Sequence, residues 1–572
     1  MTAAGSDLNG ASRSGHTEEP SGASASVTMS RRALLGAGGA AAFGLVGFRA
    51  GHLLGRPELL SARSASDSKD AVSRAAASST LTAAIYANPN SFDPATIRLI
   101  PEYQVASSIF DQLLWKLPEF SPTKFYPGLA TSYSVQDGGR AFTFNLRQGV
   151  TFHDGTPFDA TAVKYTFDRI VNPATKSISS LAVLGPYKET KILSSYQVQV
   201  IFSQPNAAFL DNVASPLLAI VPPSAAKAGA SFAQHPIGSG PFRFVSFTPD
   251  LQVVLARNPN YRWGPQVGGL QGPAKTSSLV FRVITDPAAQ VSALQTGEIN
   301  VAQDLQTVQI ESLTATGQFK RDVVTTAGMP YGFMLNVMKA PTDEIKVRRA
   351  IEYAVNRDEV ISTLFHGLYT PANTVITPPT FGYNSRQFFS YDPAKAKSLL
   401  DAAGWKGSGT RTRNGEKLTL SWLLSEGFGF SESAQLIATQ LQAVGIASTI
   451  TRQASPGVFT NIEKGIMNVS SIFDYAADPY ILSELFGCKE VGVGPNYGHY
   501  CNPTVDAQIQ HANATTSDST RAAIYKSVQT TLMNAAVFIP IYNLANVYVF
   551  PKRLSGLHYA ALSIPLFTAV SA

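Results

Sequence analysis

The sequence predicts a mixed α/β (α+β) fold. Three observations predict it: segments in which apolar and polar residues alternate, apolar repeats bounded by helix caps, and a strand–helix order without strict alternation. Phe142, Phe144 and Leu146 share one face of a strand, and Val198, Val200 and Phe202 share another. Residues 251–257, 278–284 and 418–424 are further strand candidates. Asp286-Pro287 opens a helix that runs through Val291 and Leu294 and stops at Gly297. Asp392-Pro393 opens another, through Leu399 and Leu400, that stops at Gly404. In each, the aspartate can accept an orphan N–H, proline suits the first helical position, and glycine permits a left-handed exit. Residues 342–367 read as one or two helices, with Ile351, Val355, Ile361, Leu364 and Phe365 facing inward. Residues 431–445 read as another, with Ile437, Leu441 and Val444 inward.

The chain has 572 residues. At about 150 residues per domain, that suits three or four domains, or two lobes with an insertion. Hydrophobic residues make up 44% and charged residues 15%, enough apolar material for large cores, which excludes wholesale disorder. Glycine and proline scatter without a period, so collagen-like and solenoid readings fail. The net charge is +6, with no basic run beyond Arg31-Arg32, so the sequence gives no support for nucleic-acid binding.

The N-terminus reads as an address. Residues 1–28 are rich in Ser, Gly, Ala and Thr. Ser30-Arg31-Arg32-Ala33-Leu34-Leu35 then leads into an apolar run to Phe48 that holds Gly36, Gly38, Gly39, Gly44 and Gly47. About 16 residues of helix span about 24 Å, short of a ~30 Å apolar bilayer core. A charged segment before a short, glycine-rich apolar run resembles a twin-arginine export signal. Either Met1 or Met29 could start the chain. Cys488 and Cys501 are the only cysteines, so none follows the apolar run and lipid anchoring there is not expected. Residues 56–80 are Ser/Ala-rich and read as a linker, so 1–80 is taken as signal plus linker. Whether the signal is cleaved or stays as an anchor is open.

Catalytic constellations are scarce. None of the eight histidines lies three or four residues from another, so no helix presents a paired-histidine metal site. There is neither a Gly-x-Ser-x-Gly elbow nor a phosphate-cradling Gly-x-x-x-x-Gly-Lys loop. No cofactor and no metal is expected, and the chain reads as a binder rather than an enzyme. In an oxidising compartment Cys488 and Cys501 are close enough in sequence to bridge; free thiols remain the alternative, and no Cys-x-x-Cys supports a redox role.

Several stretches, read together, resemble one family. Tyr126-Pro127-Gly128-Leu129-Ala130 leads through Asp137-Gly138-Gly139-Arg140 into Leu146-Arg147-Gln148-Gly149-Val150-Thr151-Phe152-His153-Asp154-Gly155-Thr156-Pro157-Phe158. Pro236-Ile237-Gly238-Ser239-Gly240-Pro241-Phe242, Arg257-Asn258-Pro259-Asn260-Tyr261, and Ala293-Leu294-Gln295-Thr296-Gly297-Glu298-Ile299 follow in order. So do Val347-Arg348-Arg349-Ala350-Ile351, Tyr391-Asp392-Pro393, Ala403-Gly404-Trp405, Tyr500-Cys501-Asn502-Pro503 and Ile539-Pro540-Ile541-Tyr542. Together they resemble the extracellular solute-binding proteins of family 5, the oligopeptide-, dipeptide- and nickel-binding components of ABC importers. The signature itself reads as structural: Asp137-Gly138 and Asp154-Gly155 as turns, Arg147 as a brace for a carboxylate, His153 as a hydrogen-bonding histidine.

The resemblance implies a two-lobe clamshell of the periplasmic-binding-protein type. It places a first lobe at 81–330, completed by 542–572, with an extra subdomain at about 126–237, and a second lobe at 331–541. Crossings near 328–331 and 540–543 would form the hinge. It implies an exported protein, periplasmic or at the cell surface. Its partners would be a small-molecule ligand, expected to be a peptide, and the permease and ATPase subunits of an importer. Contact with the membrane would come only through the permease or an uncleaved signal. In peptide-binding relatives an aspartate four residues before a proline pairs with the ligand's α-ammonium. Here that position, before Pro479, is Tyr475, and Asp474 is one residue earlier. One residue along a strand turns a side chain to the other face, so either a bulge lets Asp474 act or the anchor is absent. By position, the candidate ligand-binding residues are Asn88, Asn90, Ser91, Tyr331, Phe333, Phe428, Phe473, Asp474 and Tyr475. A non-peptide solute such as an oligosaccharide or metal chelate is the alternative, and a secreted hydrolase ranks below both.

Overall fold

The computed structural model describes residues 79–121, 123–425, 430–454 and 457–571. The export segment, nearly all of the linker, and Phe428 lie outside them. Among the described residues no helix is long and apolar enough to cross a membrane.

The chain begins its first large sheet with Thr80–Ile85, which pairs in parallel with Ser278–Val283. Gln252–Arg257 and Phe242–Thr248 extend that sheet antiparallel. A smaller sheet lies alongside, in the order Ala302–Gln303, Ala545–Pro551, Phe319–Thr325. A parallel bridge between Ala83 and Val301, with Ala84 N–H donating to Val301 at 2.8 Å, ties the two together. Phe92, Phe110, Phe242, Leu255, Phe281, Tyr548 and Phe567 fill the core beneath.

An insertion builds its own four-stranded antiparallel sheet from Ala130–Gln136, Ala141–Leu146, Gln197–Phe202 and Tyr187–Ser194. The expected alternation is present: Val198, Val200 and Phe202 are buried, their neighbours half-buried. Phe142, Phe144, Phe167, Phe202 and Phe209 pack there edge to face, an arrangement favoured by the ring quadrupole.

A five-stranded sheet forms the remaining body, in the order Ala447–Gln453, Thr419–Ser425, Val469–Tyr475, Gly328–Leu335, Phe538–Tyr542. Every residue of Gly328–Leu335 is buried because helices cover both faces. Tyr331, Phe333 and Leu335 face a core with Trp422, Ile437 and Leu441, whereas Met329 and Met334 face one with Tyr525, Val528 and Leu532. Two prolines sit in this sheet, and each is tolerated beside a register shift, where no ladder N–H is required. Pro330 lies in the shift between Met329 and Gly332, and Pro540 pairs with Gly332 next to the shift at Tyr331.

The antiparallel pair Phe319–Thr325 and Ala545–Pro551 passes directly into the pair Gly328–Leu335 and Phe538–Tyr542. The handover falls at residues 326–327 and 543–544, beside the expected crossings. Asn543 is fixed there by bonds to Thr370 and Pro371 at 3.0 Å.

The capped helices are as read. Asp286 accepts Ala289 N–H at 2.7 Å over Pro287–Thr296, and Gly297 exits at φ 79°. Asp392 accepts Lys395 N–H at 2.8 Å over Pro393–Ala402. Residues 342–367 hold two helices, Ile345–Ala354 and Arg357–Phe365, because Asn356 caps the second at Glu359 N–H, 3.2 Å. Leu364 and Phe365 are half-buried rather than core.

Candidate functional site

Parallel strands open their carboxyl ends to ligands in sheets of this kind. In the first lobe Thr80–Ile85 ends at Tyr86, and Ala302–Gln303 ends at Asp304. In the second, Val469–Tyr475 ends with Phe473, Asp474 and Tyr475. These ends meet. Tyr475 packs against the first lobe's core, and Tyr369 packs against the first-lobe cluster of Ala84, Leu305 and Val547.

Asp474 sits on a regular stretch of strand, opposite Met329, while the bulge falls on the partner strand, Gly328–Leu335. Gly328, at φ 128°, lies so close that a Cβ there would come within 2.3 Å of the Asp474 carbonyl oxygen. The strand end is thus held by a backbone contact that only glycine permits. Phe473 and Tyr475 share one face, their rings 5.7 Å apart, and Asp474 points to the other. Among the described residues its carboxylate accepts one hydrogen bond, from Tyr475 N–H at 2.7 Å, and no lysine or arginine bonds to it. Burial pushes its carboxyl up to about 6. Tyr103, on the first-lobe helix Ile100–Ile109, and Tyr497 lie within reach of its charge; burial and then nearby carboxylates push both phenols up to about 12. Glu484 is raised as well, by burial and then by Asp474. The proline-adjacent Asp478 is spent elsewhere: it caps Tyr480 N–H at 2.8 Å and pairs with buried Arg521 at 2.5 Å.

The other expected residues are distributed differently. Tyr331 and Phe333 are core residues with 1% and 0% exposure, packed with Phe430, Tyr542 and Trp422, and offer no surface to a ligand. Strand alternation put them on the inner face, where the covering helices bury them. Asn88, Asn90 and Ser91 hold their own loop. Asn88 accepts Asp250 N–H at 3.1 Å, Asn90 N–H donates to Glu102 at 2.8 Å, and the Ser91 hydroxyl meets Thr96 at 2.7 Å. Tyr86, Tyr103, Asp304, Tyr369 and Tyr497 were not legible as site residues, because their convergence depends on lobe packing.

The family-like signature is structural. His153 meets the Gly240 carbonyl at 3.0 Å and accepts Gly238 N–H at 3.3 Å, and burial lowers it to about 4. Arg147 donates to the Gly128 carbonyl at 3.0 Å and its charge acts on Asp111. Cys488 and Cys501 form a disulfide that closes the loop carrying Tyr497. Asn496 pins that loop through the Gly487 and Tyr500 carbonyls at 2.9 and 2.7 Å. Among the described residues no cluster of His, Cys, Asp or Glu could hold a metal ion.

The model of the bacterial extracellular solute-binding proteins, family 5, matches residues 124–492. A glutathione-binding protein, GsiB, of Salmonella paratyphi A is 29% identical over 443 residues, covering 75% of this chain and 82% of that one. Di/tripeptide-binding protein 1 of Pseudomonas aeruginosa is 27% identical over 504 residues, covering 82% and 89%. The crystal structure of NikA from Brucella suis in complex with Fe(III)-EDTA superposes with a TM-score of 0.75 at 23% identity, covering 86% of this chain and 99% of that one.

Proposed function

Because this chain belongs to the bacterial extracellular solute-binding proteins of family 5, we propose that it is the substrate-binding component of an ABC importer that captures short peptides between its lobes and delivers them to a membrane permease. The observation that carries the peptide reading is Asp474, a half-buried carboxylate with one backbone donor and no cation among the described residues. A buried ionised carboxylate without a partner is costly, and an α-ammonium supplies the missing charge and its donors. The named relatives bind glutathione or di- and tripeptides, ligands that carry such an ammonium. An anionic metal chelate, the ligand in the NikA complex, would be repelled by Asp474 and Glu484.

The lobes we assign to 81–330 with 542–572 and to 331–541, with the insertion at about 126–237; the sheet handover at 326–327 and 543–544 supports that division. Bonds that cross between lobes favour a closed form: Asn513 donates to the Pro205 carbonyl at 2.7 Å and Ala207 N–H to the Asn513 carbonyl at 3.0 Å. Ligand contacts to both walls shift the population toward that form. We assign residues 29–48 to a twin-arginine export signal without lipidation, and the permease and ATPase subunits as partners. Native mass spectrometry of protein purified from its host tests the reading. A bound di- or tripeptide mass supports it, and a bound sugar or chelate contradicts it.

A further inference from the structure

A second carboxylate in the crevice has no use in the account above. The parallel bridge of Ala83 with Val301 sets two chain segments side by side, and three residues on from each stand Tyr86 and Asp304. Asp304 adopts φ 56°, a left-handed conformation that non-glycine residues other than Asn and Asp seldom take. Its side chain accepts no hydrogen bond and joins no ion pair among the described residues, and it is open to solvent. Yet it stands among first-lobe and second-lobe tyrosines. Its charge acts on Tyr86 and Tyr548 from one lobe and on Tyr369 and Tyr475 from the other. Tyr475 also feels Asp474, so both carboxylates act on this one ring. Although its surface is exposed, the protein standing around this carboxylate lifts it to about 6, and no cation among the described residues lowers it.

Several buried acids are paired with bases: Asp93 with Arg169, Asp211 with Lys116, Glu352 with Arg357. Asp304, exposed at the place where the lobes meet, has no such base among the described residues. A base-free carboxylate with tyrosines from both lobes near it is the chemistry that holds an alkylammonium or guanidinium group, by charge-assisted hydrogen bonds and cation–π contact.

We propose that Asp304, with Tyr86, Tyr369 and Tyr475, forms a second cation subsite, so that the preferred ligand is a short peptide carrying a lysine or arginine side chain in addition to its α-ammonium. This rests on the peptide reading and narrows it to basic peptides.

Calorimetry at pH 7.5 tests it with three tripeptides, Lys-Ala-Ala, Ala-Lys-Ala and Ala-Ala-Lys, each against its norleucine counterpart. Norleucine keeps the aliphatic stem and lacks the ammonium. In the wild-type protein at least one lysine peptide is expected to bind tenfold or more tighter than its counterpart. In Asp304→Asn, whose side chain tolerates the left-handed backbone, that ratio is expected to fall to within about threefold, whatever happens to absolute affinity. A general loss of structure would lower both peptides and leave the ratio standing. Equal binding of lysine and norleucine peptides by the wild type, or a ratio that survives Asp304→Asn, overturns the subsite. If norleucine peptides bind in either case, the peptide reading stands. If none of the six binds the wild type, the peptide reading falls and the subsite falls with it.

Discussion

Asp111 and Asp474 are both carboxylates shielded by protein, Asp111 fully buried in the first lobe's interior and Asp474 half-buried at the rim where the lobes meet. Asp111 has no exposure and accepts three hydrogen bonds, from the Ser239 hydroxyl, the Tyr261 hydroxyl and the Trp263 indole N–H, each at 2.8 Å. Burial raises its pKa, and those donors pull against the shift. Among the described residues Asp474 has one backbone N–H and no further donor. An interior carboxylate is normally matched by donors or a cation, because leaving it bare costs free energy. The difference separates a group whose partners are part of the fold from one whose partner, on the proposed function, is a ligand.

The comparison breaks most visibly at Asp111. Asp111→Ala strands two hydroxyls and an indole N–H in the interior, and is expected to cost about 3–5 kcal/mol of stability. Urea unfolding measures it; a cost under about 1 kcal/mol would mean that the three donors find other partners.

Asp474→Asn is expected to act in the opposite direction on the free protein. Burial holds the folded-state pKa of Asp474 at about 6, above the ordinary 3.8, so the folded state binds its proton more tightly than the unfolded chain. For this group, stability is greatest below the unfolded value and is lost as pH rises through about 6. Removing the charge should therefore stabilise the ligand-free protein at pH 7.5, by on the order of 1–3 kcal/mol, and leave it nearly unchanged at pH 3.5. Thermal unfolding at the two pH values checks this. A variant less stable than wild type at pH 7.5 would mean that Asp474 is matched within the fold, as Asp111 is.

The same contrast explains what was legible in the sequence. Local chemistry was. Asp286 and Asp392 stand before proline and cap the helices they were expected to cap, and Val198, Val200 and Phe202 alternate into a core. His153 reads as structural because its neighbours along the chain, Asp154-Gly155, are turn residues, and it bonds to backbone at Gly238 and Gly240. Asp474 was proposed through its distance from Pro479, a local spacing along the chain. Tyr331 and Phe333 were misplaced because alternation says which residues share a face, not which face meets another lobe. The proposed subsite at Asp304 was not legible for a related reason. Its left-handed backbone follows a strand of two residues, and its neighbours Tyr86, Tyr369 and Tyr475 come from positions far apart in the chain. Sequence periodicity carries no signal for such a convergence.

The central claim is that Asp474 is left bare for a ligand's α-ammonium, and a thermodynamic cycle tests it most directly. The affinities of a tripeptide and its N-acetylated form are measured for wild type and for Asp474→Asn. Acetylation is expected to weaken binding to the wild type by about 100-fold and to the variant by less than about threefold, because the group it removes has already lost its partner. The same acetylation penalty in both proteins would contradict the account.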